Sequence, residues 1–308
     1  MDAGLLVVGL RGTVYAVLLS AFGLAVFGML PARPVERSIV TLLRLPALLA
    51  GLAALGLVAS AVQIIAMASA MAGVAMLDLD RQTLIDLIAG SAVGYAWLAR
   101  MAALALVGLA AIFLPRRPSL MLGLAVVSSG IAVATLAWTG HGAMDEGRLG
   151  WIHLGADVIH LLAAGGWLGA IAALLVLLRP SVAAGLPSLS LAHRGLERFS
   201  GMGTVLVGLI LVTGIVNSWL IVGPAHIIDL PASLYGQLLL TKVVLFVAML
   251  GLAGANRFKL VPALEAAIAA GDHRQALGAM RRSLMLECGC ATVILALVAW
   301  LGTLEPPS

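Results

Sequence analysis

The chain has 308 residues, of which 62% are hydrophobic and only 10% charged, with a mean hydropathy of +1.12. A water-soluble domain carries roughly a quarter charged residues, so a soluble enzyme, a disordered chain and a disulfide-built secreted scaffold are all excluded. The net charge of +4 points to no nucleic-acid partner, because the arginines fall in short loops, where they act as topology signals.

Apolar runs near or above the roughly 20 residues that cross a bilayer fall at about 4–30, 45–70, 92–114, 119–140, 151–178, 202–222, 234–256 and 284–304. The predicted fold is therefore all-α, a polytopic membrane protein of eight transmembrane helices in membrane lipid, forming one integral membrane domain over 1–308. Arg11 interrupts the first run and no basic region precedes it, so that run reads as a span rather than a signal peptide. Residues 78–90 (DLDRQTLIDLIAG) have the pattern of a short amphipathic helix on the outer surface. The third and fourth runs are split by a tight basic turn, Pro115-Arg116-Arg117-Pro118. The loop 257–283 is expected to form a second surface helix on the cytoplasmic side. Most of the 18 basic residues lie in alternate loops, at Arg33 to Arg44, Arg116 and Arg117, Arg179 to Arg198, and Arg257 to Arg282. The intervening loops, with Asp78, Asp80, Asp86, Asp145, Glu146 and Asp229, lean acidic. Positive loops stay in the cytoplasm, so both termini are expected outside.

An internal repeat is visible. Arg11 to Pro34 lies without gaps on Asp157 to Pro180, sharing Gly23/Gly169 and the closing Arg-Pro. Arg100 matches Lys242, Gln63 matches Asn217, and Ala137-Trp138 matches Ala299-Trp300. Two parallel four-helix halves follow, 1–141 and 142–308, related by an axis along the membrane normal.

The chemistry concentrates in Trp138 to Gly169, which holds three of the six histidines. On one helix His153, Asp157, His160 and Trp167 form a single stripe, His160 lying ~10 Å deeper than His153 and Trp167 ~10 Å deeper again. A line of imidazoles and a carboxylate in an apolar helix is costly and marks function. Imidazole suits copper, zinc, iron and nickel, and thioether favours Cu(I). Met144 stands three after His141, and Met67 and Met71 are one helical turn apart at the outer end of the second span. Candidate metal ligands are therefore His160, His153, His141, Met144, Met67 and Met71. His153 is expected to draw on His141 and Met144, and His160 on Met67 or Met71. Asp157 is expected to pair with Arg11, Arg100 or Lys242 rather than to bind metal, and Trp167 to close the path below. Glu287, Cys288 and Met285 open the last span on the inner side, where packing is the simpler role. There is no phosphate loop, no H-E-x-x-H and no nucleophile elbow, so no enzyme activity is expected.

Several spaced features resemble the copper resistance protein D (CopD) family. They are His160 seven before Trp167-Leu168-Gly169, Arg198-Phe199-Ser200, Thr213-Gly214 with Asn217, Tyr235-Gly236 with Lys242, and Asn256-Arg257 with Pro262. Thr139-Gly140-His141 and Arg100 also fit. The resemblance is strong over about 138–265. It implies a multi-pass protein of the bacterial inner membrane that transports copper, as Cu(I) or Cu(II), uptake being favoured over export. It also implies a periplasmic copper-binding partner of the CopC type, and places His160 on the family motif. The alternative is a membrane b-type cytochrome or quinone-linked redox protein, with the same histidines holding haem.

Overall fold

The computed structural model describes residues 3–29, 38–140, 147–179, 186–223, 228 and 230–305. Arg33, Arg37, His141, Met144, Asp145, Glu146, His226 and Asp229 lie outside the described residues, as do the side chains of Arg194, Arg198 and Ser200. Among the described residues there is no strand, and eight helices are long and apolar enough to cross a membrane. In hydrocarbon every backbone N–H and C=O needs an internal partner, which is why these runs become helices.

The elements are α1 (Ala3–Met29), α2 (Ser38–Leu42), α3 (Leu45–Ala72), α4 (Arg81–Gly90), α5 (Ala92–Phe113), α6 (Pro118–Ala134), α7 (Gly147–Leu177), α8 (Leu186–Val222), α9 (Leu234–Ala255), α10 (Val261–Ala270) and α11 (Arg274–Leu301). All but α2, α4 and α10 are spanning helices. The short helix expected at 78–90 is α4, its first turn capped by the Asp80 carboxylate, which accepts from Gln82 N at 3.0 Å and Thr83 N at 3.3 Å. The surface helix expected within 257–283 is not separate. A π-helical turn, Asn256–Leu260, carries α9 straight into α10, and after Gly271 the last helix already begins at Arg274. The reason is local: Val261–Ala270 is apolar and rich in alanine, so it prolongs the helix before it instead of lying apart.

α1 and α7 form the centre and cross at glycines. A Cβ on Gly23 would strike the backbone of Gly165 and Gly169, and one on Gly169 the backbone of Gly23 and Leu24. Helices without a hydrophobic drive between them associate by such close backbone approach. Around this pair α3 packs on α1 and α8 on α7, α6 packs on α5 and α11 on α9, and α1 touches α11 while α7 touches α6. The set is unchanged when each span is replaced by the one four further along. One packing has no counterpart. α3 lies against α5, whereas among the described residues α8 and α9 do not pack side by side.

The first turns of α5 and α9 are built alike. Ser91 caps Gly94 N at 2.9 Å and Ser233 caps Gly236 N at 3.0 Å. Each glycine is pressed on the carbonyls of the preceding turn, at Leu87 and Ile88 or at Leu230, where a Cβ has no room. The N-terminal ends of α1 and α5 and the C-terminal ends of α3 and α11 meet around one cavity, and the opposite ends share one core cluster with Phe27, Leu45, Leu114, Leu177 and Leu284. The basic residues Arg44, Arg116, Arg179, Arg257 and Arg281 thus all lie towards one end of the bundle.

Candidate functional site

His160 sits on α7 at a wall of an open-sided cavity of about 500 Å3 lined mainly by α7, α8, α9 and α11. The cavity lies where α8 and α9 stand apart, so its existence follows from the missing packing. Its walls are apolar apart from His160, Lys242 and Ser218. His160 Nδ1 is 3.0 Å from Thr213 Oγ1 on α8. The Thr213 hydroxyl donates to the Leu209 carbonyl at 2.5 Å, as helical threonines do. With its only proton used there, Thr213 Oγ1 accepts from Nδ1–H, and Nε2 keeps its lone pair. Gly214 leaves space for the ring: a Cβ there would lie 3.6 Å from His160 Cε1. The Thr213-Gly214 dipeptide is legible in the sequence, but its role of orienting His160 is not, because it depends on which face of α8 meets α7.

Trp167, two turns further along α7 than His160, lines the same cavity, edge-on to Phe246 at 5.9 Å and 72°. Its side chain is within hydrogen-bonding reach of Glu287, which also accepts from Asn256 Nδ2. Glu287 is 2% exposed, so it is a buried polar centre rather than a solvent-facing residue at the helix start. Sequence reading missed this connection; Asn256 and Glu287 lie 31 residues apart on different helices.

Asp157 accepts a hydrogen bond from Asn217 Nδ2 at 3.4 Å and lies beside Gly140. The charges of Lys242 and Arg11 act on it, so the expected cationic neighbourhood is present, with an amide as its hydrogen-bond donor. His153 is buried on the same helix but does not line the His160 cavity. His141 and Met144 cannot be placed against it, since they lie outside the described residues.

A second cavity, of about 370 Å3, lies between α1, α3, α5 and the end of α11. Met67 and Met71 line this one, together with Arg11, Gln63 and Arg100. The pairing of His160 with Met67 or Met71 expected from depth is therefore not made. Equal depth does not give proximity here, because α3 packs on α1 and α5 while the His160 face of α7 looks towards α8 and α9. Arg100 is 1% exposed and donates to Thr135 Oγ1 at 2.9 Å, Gln63 Oε1 at 3.1 Å and Thr135 O at 3.3 Å. Among the described residues no group of three or more His, Cys, Asp or Glu converges as a metal site. A haem held by two histidines needs both facing one space, and of the described histidines only His160 lines either cavity.

Two family models match the chain on either side of residues 152–192. Residues 193–301 match the family model of copper resistance protein D, and residues 1–151 match that of the copper resistance protein D-like N-terminal domain. The chain is 42% identical to copper resistance protein D of Pseudomonas syringae pv. tomato, over 97% of this chain and 96% of that one. It is 32% identical to the inner membrane protein YebZ of Escherichia coli (strain K12), over 56% of this chain and 55% of the other. Copper transport protein CutJ of Bacillus subtilis (strain 168) is 40% identical over 40% of this chain and 22% of its own length. No solved structure gives a significant match.

Proposed function

Because the chain belongs to the copper resistance protein D family, we propose that it carries copper ions across the bacterial inner membrane, inward, with His160 as the relay inside the bilayer. The observation that carries this reading is the His160 cavity. It places an imidazole with an available Nε2 inside an apolar space in the spanning region, oriented by Thr213. Copper in either oxidation state accepts an imidazole ligand. Lys242 on the same wall opposes a cation, and Asp157, whose charge acts on Lys242, offsets that opposition. Trp167 and Phe246 close the inner side, so passage requires them to move.

His153 is the outer acceptor in this reading, completed by His141 and Met144, and receives copper from a periplasmic protein of the CopC type. Both termini are periplasmic, as the basic loops at the opposite end of the bundle support. Met67 and Met71 are left off the route, because they share their cavity with Arg11 and Arg100, whose charges repel a bare copper ion. The halves arose by duplication, supported by the Gly23–Gly169 crossing at equivalent positions and by the matched caps of α5 and α9.

Copper bound by the purified protein, counted after gel filtration, tests the assignment. His160→Ala should lose one copper and retain the outer one, while His153→Ala should lose the outer one. Unchanged copper content in both folded variants would remove the histidines from the route.

A further inference from the structure

The cavity between α1, α3, α5 and the end of α11 carries two guanidinium groups and no carboxylate among its lining residues. Arg100 is 1% exposed, and its three hydrogen bonds all go to neutral oxygens. A guanidinium has five N–H donors, so one on each Nη is left without a protein acceptor among the described residues. The charged or polar groups acting on it are Tyr15 and the second guanidinium, Arg11. Arg11 lies over the Tyr15 ring, and its buried Nε has no hydrogen-bond partner among the described residues. Arginine cannot shed its proton to escape burial, and an uncompensated buried charge costs several kcal/mol. Arg100 is such a charge, and Arg11, half-buried and sharing Asp157 with Lys242, puts a second cation beside it on the same wall, a setting that favours an anion.

The second half shows what is missing. By the gap-free match Arg11 stands where Asp157 stands, and the separate match of the third and seventh spans puts Arg100 where Lys242 stands. In the second half Asp157 acts on the charge of the lysine, whereas beside Arg100 the corresponding position holds a cation and no carboxylate lines the cavity among the described residues. We propose that the first cavity binds a small organic oxyanion, its carboxylate or phosphate head held by Arg100 and Arg11 and its apolar part lying against Ile64, Met67 and Trp97. The volume supports an organic body rather than a bare ion: about 370 Å3 is room for roughly a dozen waters at ~30 Å3 each. Trp97 presents a fixed wall, since its indole N–H is bonded to Ser60 O at 2.9 Å, and the two flexible methionines adapt to shape. The same head-group chemistry is offered by a free carboxylate in the outer solution and by an anionic phospholipid. The proposal is independent of the copper route.

The test is thermal unfolding of the purified full chain in uncharged detergent, titrated with sodium hexanoate against equimolar sodium chloride. A parallel series uses phosphatidylcholine nanodiscs with and without phosphatidylglycerol. A saturable rise in midpoint with hexanoate identifies a free anion; a rise only with phosphatidylglycerol identifies the lipid. Either should weaken at least tenfold in apparent affinity in Arg100→Gln. Ala70→Phe, which fills the cavity and leaves both arginines in place, should weaken it similarly and decides the matter if Arg100→Gln does not fold. No response to either probe overturns the proposal, and so does a response that both variants retain. Sensitivity that emerges only in an Asp145→Asn/Glu146→Gln double variant also overturns it, since the chain's own carboxylates would then be the occupant.

Discussion

At the scale of single residues, His160 owes its chemistry to Thr213. A Thr213→Val change keeps the shape and removes the acceptor for Nδ1–H, leaving a buried donor unsatisfied at a cost of about 1–3 kcal/mol. The expected outcome is a folded protein whose inner copper site is at least tenfold weaker, read by competition with a copper chelator. Equal affinity would mean that the hydrogen bond does not orient the ligand. The place of His160 was legible, because it lies two turns below His153 on the same stripe of an apolar helix, where an ionisable residue has few structural excuses. Its partner was not. Nothing in the spacing of Thr213 says which face of α8 it occupies, and Ala59, at the matching place in the first half, is ordinary core. Met67 and Met71 show the converse limit: their depth was readable from helix rise, but their neighbours were fixed by the packing of α3 on α1 and α5.

At the scale of elements, the close crossing of α1 and α7 and the parting of α8 and α9 are the two features on which the site depends. Gly169→Leu puts a side chain into the backbone of α1, with no flexible neighbour to yield. It should lower the thermal midpoint in detergent by many degrees, whereas Gly155→Leu, on open space of the same helix, should change it little. Comparable loss in both would show that leucine disrupts α7 without reference to the crossing. The spans themselves were readable from length and hydropathy, and α4 from its amphipathic pattern. The continuation of α9 through a π-helical turn into α10 was not, because basic residues in Arg257 to Lys259 look like a loop while the alanine-rich segment after them continues the helix. α9 packs chiefly on α11 and carries Lys242, Phe246 and Met249 to the cavity, so it is the element whose displacement would open the inner side.

At the scale of the whole molecule, a parallel duplication requires the halves to superimpose by about half a turn around the membrane normal. An experimental structure in which they superimpose only after inversion would rule that origin out. Reporter fusions after Arg117 and after Gly142 should report opposite sides of the membrane, cytoplasmic and periplasmic; the same side for both would break the order of spans. The eight-span architecture was plain in the composition, while the asymmetry between the halves lay in a side-by-side packing that α8 and α9 do not make among the described residues. The central claim is that copper crosses through the His160 cavity, and copper flux into proteoliposomes measures it directly. Protein of the natural sequence should accumulate copper inside the vesicles at a rate well above protein-free lipid, and His160→Ala should fall to that background while remaining folded. Flux in His160→Ala equal to that of the natural protein would contradict the route.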